Sequence, residues 1–131
     1  MDILILVVGI AIVLLFFTAR VIYHKLLVVF GDNNTKSGNK SKALQLYLKA
    51  LKFNIGDKKA WPIMDRIRDL YKDSGFKDDE LAKIRKDYSD IHNYVHVEMK
   101  KKMNQNKEAV KEINKEALTR YKEFMNQIPK L

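Results

Sequence analysis

The chain has 131 residues, and its 25 lysine and arginine residues against 16 acidic ones give it a formal net charge of +9. A chain of this length can bury one small hydrophobic core, which leaves no room for a separate substrate domain. The sequence contains no cysteine, which excludes disulfides and thiolate metal sites.

The first predicted element is an apolar segment near the N-terminus. Residues 3–19 (ILILVVGIAIVLLFFTA) contain no charge and no proline, and Arg20 follows at once. At about 1.5 Å per residue, a helix over residues 3–22 crosses a hydrocarbon core of about 30 Å if the arginine side chain extends to the headgroups. The sequence therefore predicts an uncleaved transmembrane anchor with its juxtamembrane segment over residues 1–30. Its span and boundary are marked by Ile3, Leu14, Phe17, Arg20 and Tyr23.

A buried core helix and a cleaved signal peptide are the two alternatives for this segment. The rest of the chain offers little protein to surround so apolar a helix. A signal peptide fits poorly because the leading residues carry Asp2 rather than a basic cluster, and because no small-x-small cleavage site follows the apolar run.

Basic residues flank only the C-terminal end of the predicted span. Arg20, His24 and Lys25 lie there, and three more lysines follow by residue 42, whereas the other end carries only Asp2 and the amino terminus. The positive-inside bias therefore predicts a single-pass protein of the cell membrane, with its N-terminus outside and its C-terminal domain in the cytoplasm.

The rest of the chain is predicted to be all-α. Residues 21–30 either continue the membrane helix or lie in the interface, and residues 31–40 (GDNNTKSGNK) are rich in turn residues and predict a linker. Apolar residues then recur at helical spacing throughout residues 41–131, which predicts a small cytoplasmic domain of solenoid or bundle type. No part shows the alternation of a strand.

One stretch of this domain carries a recognisable pattern of small and aromatic residues. It reads Gly38-x4-Ala43-x3-Tyr47-x2-Ala50-Leu51 and is followed by Ala60-Trp61, and a glycine ends the next helical stretch at Gly75. This pattern resembles the tetratricopeptide repeat over roughly residues 36–76, about one degenerate repeat. The resemblance departs from the family at Ile55, where the family usually has proline, and at Asp65, at or near a usual small residue.

The resemblance implies a fold and a surface. It implies stacked antiparallel helices and a protein-binding role, with packing positions at Gly38, Ala43, Tyr47, Ala50, Trp61 and Gly75. It also implies a concave side on the second helix of the domain, where Lys59, Arg66 and Lys72 would suit an acidic peptide. The alternative is that these three are ordinary exposed basic residues.

The C-terminal third contains an apolar seam whose partner the sequence leaves open. Val110, Ile113, Ala117, Tyr121, Phe124 and Ile128 recur at three- and four-residue spacings. If residues 104–106 (NQN) form a turn, the seam folds back on the preceding helix and completes the core, which the weak helix propensity of this run favours. If they do not, one long helix presents Val110, Ile113, Tyr121 and Phe124 to a partner or a second copy.

The sequence contains no pattern that predicts catalysis or a cofactor. His92 and His96 stand one helical turn apart, but no third or fourth metal ligand accompanies them, so a solvated or partner-facing pair is the ordinary interpretation. No glycine-rich phosphate loop and no nucleophile motif is present. We therefore expect neither an enzyme nor a cofactor or metal site.

These observations lead to one functional expectation and one alternative. The expected function is a membrane-anchored helical adaptor or accessory subunit that binds a protein partner, with a homo-oligomer also open. The alternative is a basic peripheral module that binds anionic lipid or nucleic acid through clusters such as residues 100–102 (KKK). Nucleic acid is disfavoured because no aromatic residues interleave closely with that cluster.

Overall fold

A computed structural model describes residues 2–102 and 106–131. Along these described residues five helices follow one another: α1 (Ile3–Lys36), α2 (Lys40–Lys52), α3 (Ala60–Asp73), α4 (Asp78–Lys102) and α5 (Lys107–Gln127). No strand is found among the described residues. The all-α prediction is confirmed, and so is the long apolar helix at the N-terminus, which is long and apolar enough to cross a membrane.

Helix α1 is longer than the sequence predicted. It continues without interruption from Ile3 to Lys36, so the linker expected at residues 31–40 is wrong over residues 31–36, and only residues 37–39 connect α1 to α2. Gly38 follows the cap residue of the helix, and its φ of 82° is a left-handed conformation that glycine adopts without strain. Residues 21–36, which are apolar at first and then rich in turn-forming residues, therefore continue the predicted span and also form the first helix of the folded domain.

The helices run alternately up and down, which gives the domain two distinct ends. Near one end, the Asn54 side chain at the close of α2 lies 3.0 Å from the His24 ring on α1. Near the other end, the ammonium group of Lys40 donates to the Asp73 carbonyl oxygen at 3.0 Å, which joins the start of α2 to the end of α3. We call the first the proximal end, because it adjoins the exposed apolar half of α1, and the second the distal end.

Helix α3 ends as the sequence predicted, at a glycine. Gly75 has φ 94°, its backbone N–H bonds the Lys72 carbonyl, and the N–H of Phe76 bonds the Tyr71 carbonyl. The rings of Phe76 and Tyr71 meet edge to face at 5.1 Å, which completes a Schellman motif with its hydrophobic contact.

The predicted packing positions divide into buried residues and helix ends. Ala43, Tyr47 and Ala50 are buried where α2 meets its neighbours. Gly38 and Gly75 do not pack against another helix: a Cβ at either position would meet nothing within 4 Å, so their role is to end a helix. Whether the chain is kin to the tetratricopeptide family stays a prediction.

Helices α4 and α5 pack against each other, as the turn prediction required. The Tyr88 and Phe124 rings lie 5.9 Å apart, and the Arg120 guanidinium lies 3.9 Å from the centre of the Tyr94 ring. The predicted turn at residues 104–106 lies outside the described residues at 104 and 105, and Asn106 caps α5 by accepting from two backbone N–H groups.

Candidate membrane-proximal interface

The two halves of α1 have opposite surroundings. The 18-residue window that qualifies as a candidate membrane span has no residue buried in the protein. Beyond it, Leu27 and Gly31 are buried against the domain, and Gly31 lies so close to Tyr47 that a Cβ there would fall 2.4 Å from the ring. One continuous helix thus joins an uncovered apolar segment to a packed domain.

Polar contacts hold the inner half of α1 to α2 and α3. The Asp32 carboxylate accepts from the Arg66 guanidinium at 2.9 Å and from the Tyr47 hydroxyl. The Thr35 hydroxyl lies 3.2 Å from the same tyrosine oxygen. Burial, and then the hydrogen bond to the Asp32 carboxylate, raise the pKa of Tyr47 to about 12. These contacts fix the rotation of α1 about its own axis relative to the domain.

That rotation leaves an apolar stripe on the outward face of α1. Leu26, Val29 and Phe30 are 41%, 49% and 50% exposed, and they continue the line of Ile22 at helical spacing. Lys25 lies to one side of them. We call Leu26, Val29 and Phe30 the α1 stripe. If the hydrocarbon boundary lies near residue 22, as the length of the span predicts, Val29 and Phe30 stand about 10–12 Å beyond it, in or past the headgroup region.

An aromatic cluster lies between α3 and α4. Trp61 contacts Tyr88 at 5.8 Å and His92 at 4.8 Å between ring centroids, and the Arg85 guanidinium lies 5.2 Å from the Trp61 ring. Tyr47 instead lies on the α1 side of α2. The two aromatics of the predicted repeat therefore fill different spaces.

The histidine pair is not a solvated pair. His92 is 8% exposed and packs in this cluster, whereas His96 is exposed. Burial, and then the charge of His96, lower the pKa of His92, while Asp57 opposes them. The interpretation as a solvated or partner-facing pair is wrong for His92, because Trp61 and Tyr88 cover its ring.

Most of the predicted partner-binding residues contact other parts of the fold and are therefore not free to bind a partner. Ile113, Tyr121 and Phe124 are 1%, 1% and 3% exposed, so they belong to the core and present no surface. Val110 is half-buried beside them. The Tyr121 hydroxyl donates to the Leu48 carbonyl, which fastens α5 onto α2. The favoured prediction, in which this seam folds back and completes the core, agrees with the packing, whereas the alternative of a long helix that presents the seam as a docking surface is wrong, because α2 and α4 cover it.

The three basic residues of the predicted concave side have different surroundings in the structure. Lys59 and Lys72 are exposed. Arg66 is paired with Asp32 and so serves the attachment of α1. Sequence reasoning missed this pair because residues 31–40 were interpreted as a linker, which hid Asp32 as a partner for α3.

The α1 stripe was missed for the same reason, because residues 31–40 were interpreted as a linker and no folded domain was expected to pack directly against α1. Its signal was present in the spacing of residues 22, 26, 29 and 30, which is the spacing of one helix face. Within the described parts of the chain, no group of three or more histidine, cysteine, aspartate or glutamate residues is placed to hold a metal ion.

Comparisons of the chain with protein-family models, curated proteins and solved structures find no match.

Proposed function

We propose that the protein is a single-pass membrane protein whose cytoplasmic helical domain acts as an adaptor or accessory subunit for a protein partner. The N-terminus lies outside and α2–α5 lie in the cytoplasm. The observation that carries the anchor is the contrast within α1, since its apolar first half is covered by none of the described protein. Such a surface is stable in a bilayer and unfavourable in water.

The partner surface we propose is the α1 stripe. It is apolar, it stands on the side of α1 that the domain leaves open, and it is continuous with the lipid-facing surface of the span. A partner that covers Val29 and Phe30 must therefore reach the surface immediately next to the membrane. An apolar helix of another membrane protein has this geometry, because it can run beside α1 both inside and just outside the bilayer.

The attachment of α1 to the domain supports an adaptor role. The span enters the domain without a flexible linker, and the Asp32–Arg66 contact orients the domain about the helix. A domain held in this way offers its surfaces at one height and rotation relative to the membrane. Low conformational freedom reduces the entropic cost of binding a second membrane protein.

Orientation is tested with a reporter after Leu131 and with protease added from outside to intact cells. We expect the reporter to indicate the cytoplasm and the C-terminal domain to be protected. Digestion of the domain in intact cells would overturn the orientation.

The stripe is tested by a photo-crosslinking amino acid at Val29 or Val97 in the native membrane. The two valines are 49% and 45% exposed, so Val97 on α4 is a matched control. We expect a crosslink to another membrane protein from position 29 only, lost in a Leu26→Ser/Phe30→Ser variant that still resists alkaline extraction from the membrane. A crosslinked product of twice the chain's own mass would show that the partner is a second copy of this chain. Equal yields from positions 29 and 97, or none, would remove the stripe from the proposal.

A further inference from the structure

Two lysines border the α1 stripe on one side. Lys25 stands at its membrane end and Lys36 in the last turn of α1, and both side chains are exposed. The two are 11 residues apart, about three helical turns or 16 Å, so they lie on the same side of the helix. Asp32 is the one acidic residue of α1, and its carboxylate already accepts from Arg66 and Tyr47. We call Lys25 and Lys36 the basic border of the α1 stripe.

Helix α2 adds further positive charge next to α1. Lys42, Lys49 and Lys52 are exposed, and α2 contains no acidic residue. Residues 3–56 carry seven lysine and arginine residues against one acid, whereas residues 57–131 carry 18 against 14. The α1–α2 part of the chain is therefore basic almost without interruption, and its field attracts an acidic ligand from a distance. The remaining helices mix both signs, as ordinary solvated helix faces do.

The basic border extends too far from the membrane to serve lipid headgroups alone. With the hydrocarbon boundary near residue 22, Lys36 stands 14 residues or about 21 Å beyond it. The negative potential of anionic lipids decays within a Debye length, which is about 8 Å at physiological ionic strength. A boundary nearer the N-terminus would only increase the distance of Lys36 from the lipid. A ligand that reaches both lysines must therefore extend along α1 into the cytoplasm.

A second copy of this chain fits the stripe poorly. Two anchored copies have the same orientation in the bilayer, so two stripes in contact would belong to parallel α1 helices. Each lysine of the basic border would then approach its own counterpart, and like charges that face each other oppose association. The same geometry favours a helix that carries carboxylates at the levels of Lys25 and Lys36.

We propose that the α1 stripe and its basic border bind an acidic juxtamembrane helix of another membrane protein. This inference rests on the proposed function, and it names the chemistry of the partner. The partner's membrane helix continues into the cytoplasm beside α1, covers the stripe with apolar side chains and places aspartate or glutamate at two levels about 16 Å apart. Such a segment is a selective feature, because the cytoplasmic flanks of membrane spans usually carry lysine and arginine.

The test places a photo-crosslinking amino acid at Asn33 of the full chain in the native membrane. Asn33 is exposed and lies one helical turn from both Val29 and Lys36. We expect mass spectrometry of the crosslinked product to identify a peptide within about 15 residues of the end of a membrane helix, with more acidic than basic residues. A crosslink to lipid, to nucleic acid, to a second copy or to a peptide without excess acid would overturn the proposal.

The two crosslinking positions separate this inference from the proposed function. A crosslink to a membrane protein from position 29 without one from position 33 would overturn the acidic partner helix and leave the proposed function in place. No crosslink from either position would overturn both.

Charge reversal then tests whether the basic border makes the contact. We expect Lys25→Glu/Lys36→Glu to lower the yield from position 33 about tenfold or more, because two attractions become repulsions. Lys86→Glu/Lys122→Glu changes the charge equally at exposed positions of α4 and α5 and should keep the yield. Lysine in place of the partner's identified acids should restore the yield of the reversed variant, which a folding defect would not allow. An unchanged yield, equal loss in both variants, or loss without this rescue would contradict the proposal.

Discussion

The Asp32 carboxylate lies 2.9 Å from the guanidinium of Arg66, and this contact joins the helix that carries the candidate span directly to α3. The two residues are 34 positions apart in the sequence. The Tyr47 hydroxyl donates to the same carboxylate, so one aspartate connects three helices. Both partners of the ion pair are more than one third exposed, which limits what the charge attraction alone contributes.

Removing this aspartate should weaken the attachment of α1. We expect Asp32→Ala to lower the free energy of unfolding by about 1–2 kcal/mol, since it leaves both the arginine and the tyrosine hydroxyl without their acceptor. Denaturant unfolding of the full chain in detergent micelles measures it. Lys83→Ala breaks an exposed pair within α4 and serves as the control, with an expected loss below about 0.5 kcal/mol. Equal losses would mean that the Asp32 contacts add nothing to the fold.

The close approach of α1 to α2 depends on a glycine. In an exposed helix interior, Gly→Ala stabilises by about 1 kcal/mol. At Gly31 a Cβ would instead fall 2.4 Å from the buried Tyr47 ring, whose hydroxyl is held by Asp32 and Thr35. We expect Gly31→Ala to cost about 1–3 kcal/mol in the same unfolding measurement. Gly9→Ala, where a Cβ meets nothing within 4 Å, should not destabilise. If the two variants behave alike, the helices are not in close contact at Gly31.

The C-terminal seam should behave as core. Phe124 is 3% exposed and lies 5.9 Å from the Tyr88 ring, so Phe124→Ala should cost about 3–5 kcal/mol. Val110→Ala, at a half-buried position of the same helix, should cost clearly less. Thermal melting followed by circular dichroism distinguishes the two variants. If the Phe124→Ala chain had the same melting temperature as the parent, the seam would be an exposed surface rather than part of the core.

The buried histidine should make stability depend on pH. Since the pKa of His92 is lower in the folded state than its ordinary value of 6.5, the unfolded chain binds more protons between these two values. The stabilising contribution is therefore complete above about pH 6.5 and is lost as the pH falls through the folded-state pKa. His92→Gln should flatten the slope of unfolding free energy against pH in this window. His96→Gln changes an exposed ring and should keep most of the slope, and a parent slope identical to that of His92→Gln would contradict the prediction.

The helices and the candidate membrane span could be predicted from the sequence because each depends on the order of residues within one segment of the chain. The uncharged run of residues 3–19 and the three- and four-residue spacing of apolar side chains each determine a helix without reference to distant residues. The same holds for the end of α3 at Gly75, where a residue free to adopt positive φ closes the last turn.

Tertiary contacts decided what the local pattern could not. Residues 31–36 are rich in turn-forming residues and are nevertheless helical. Contacts with two distant segments stabilise the helix there, because Gly31 leaves room for the Tyr47 ring and Asp32 pairs with Arg66. The spacing of Ile113, Tyr121 and Phe124 identified an apolar face, but periodicity alone does not say whether protein, solvent or a partner covers that face. Only the packing of α5 on α2 and α4 placed these three residues in the core, and only the rotation of α1 in the domain left the α1 stripe outside it.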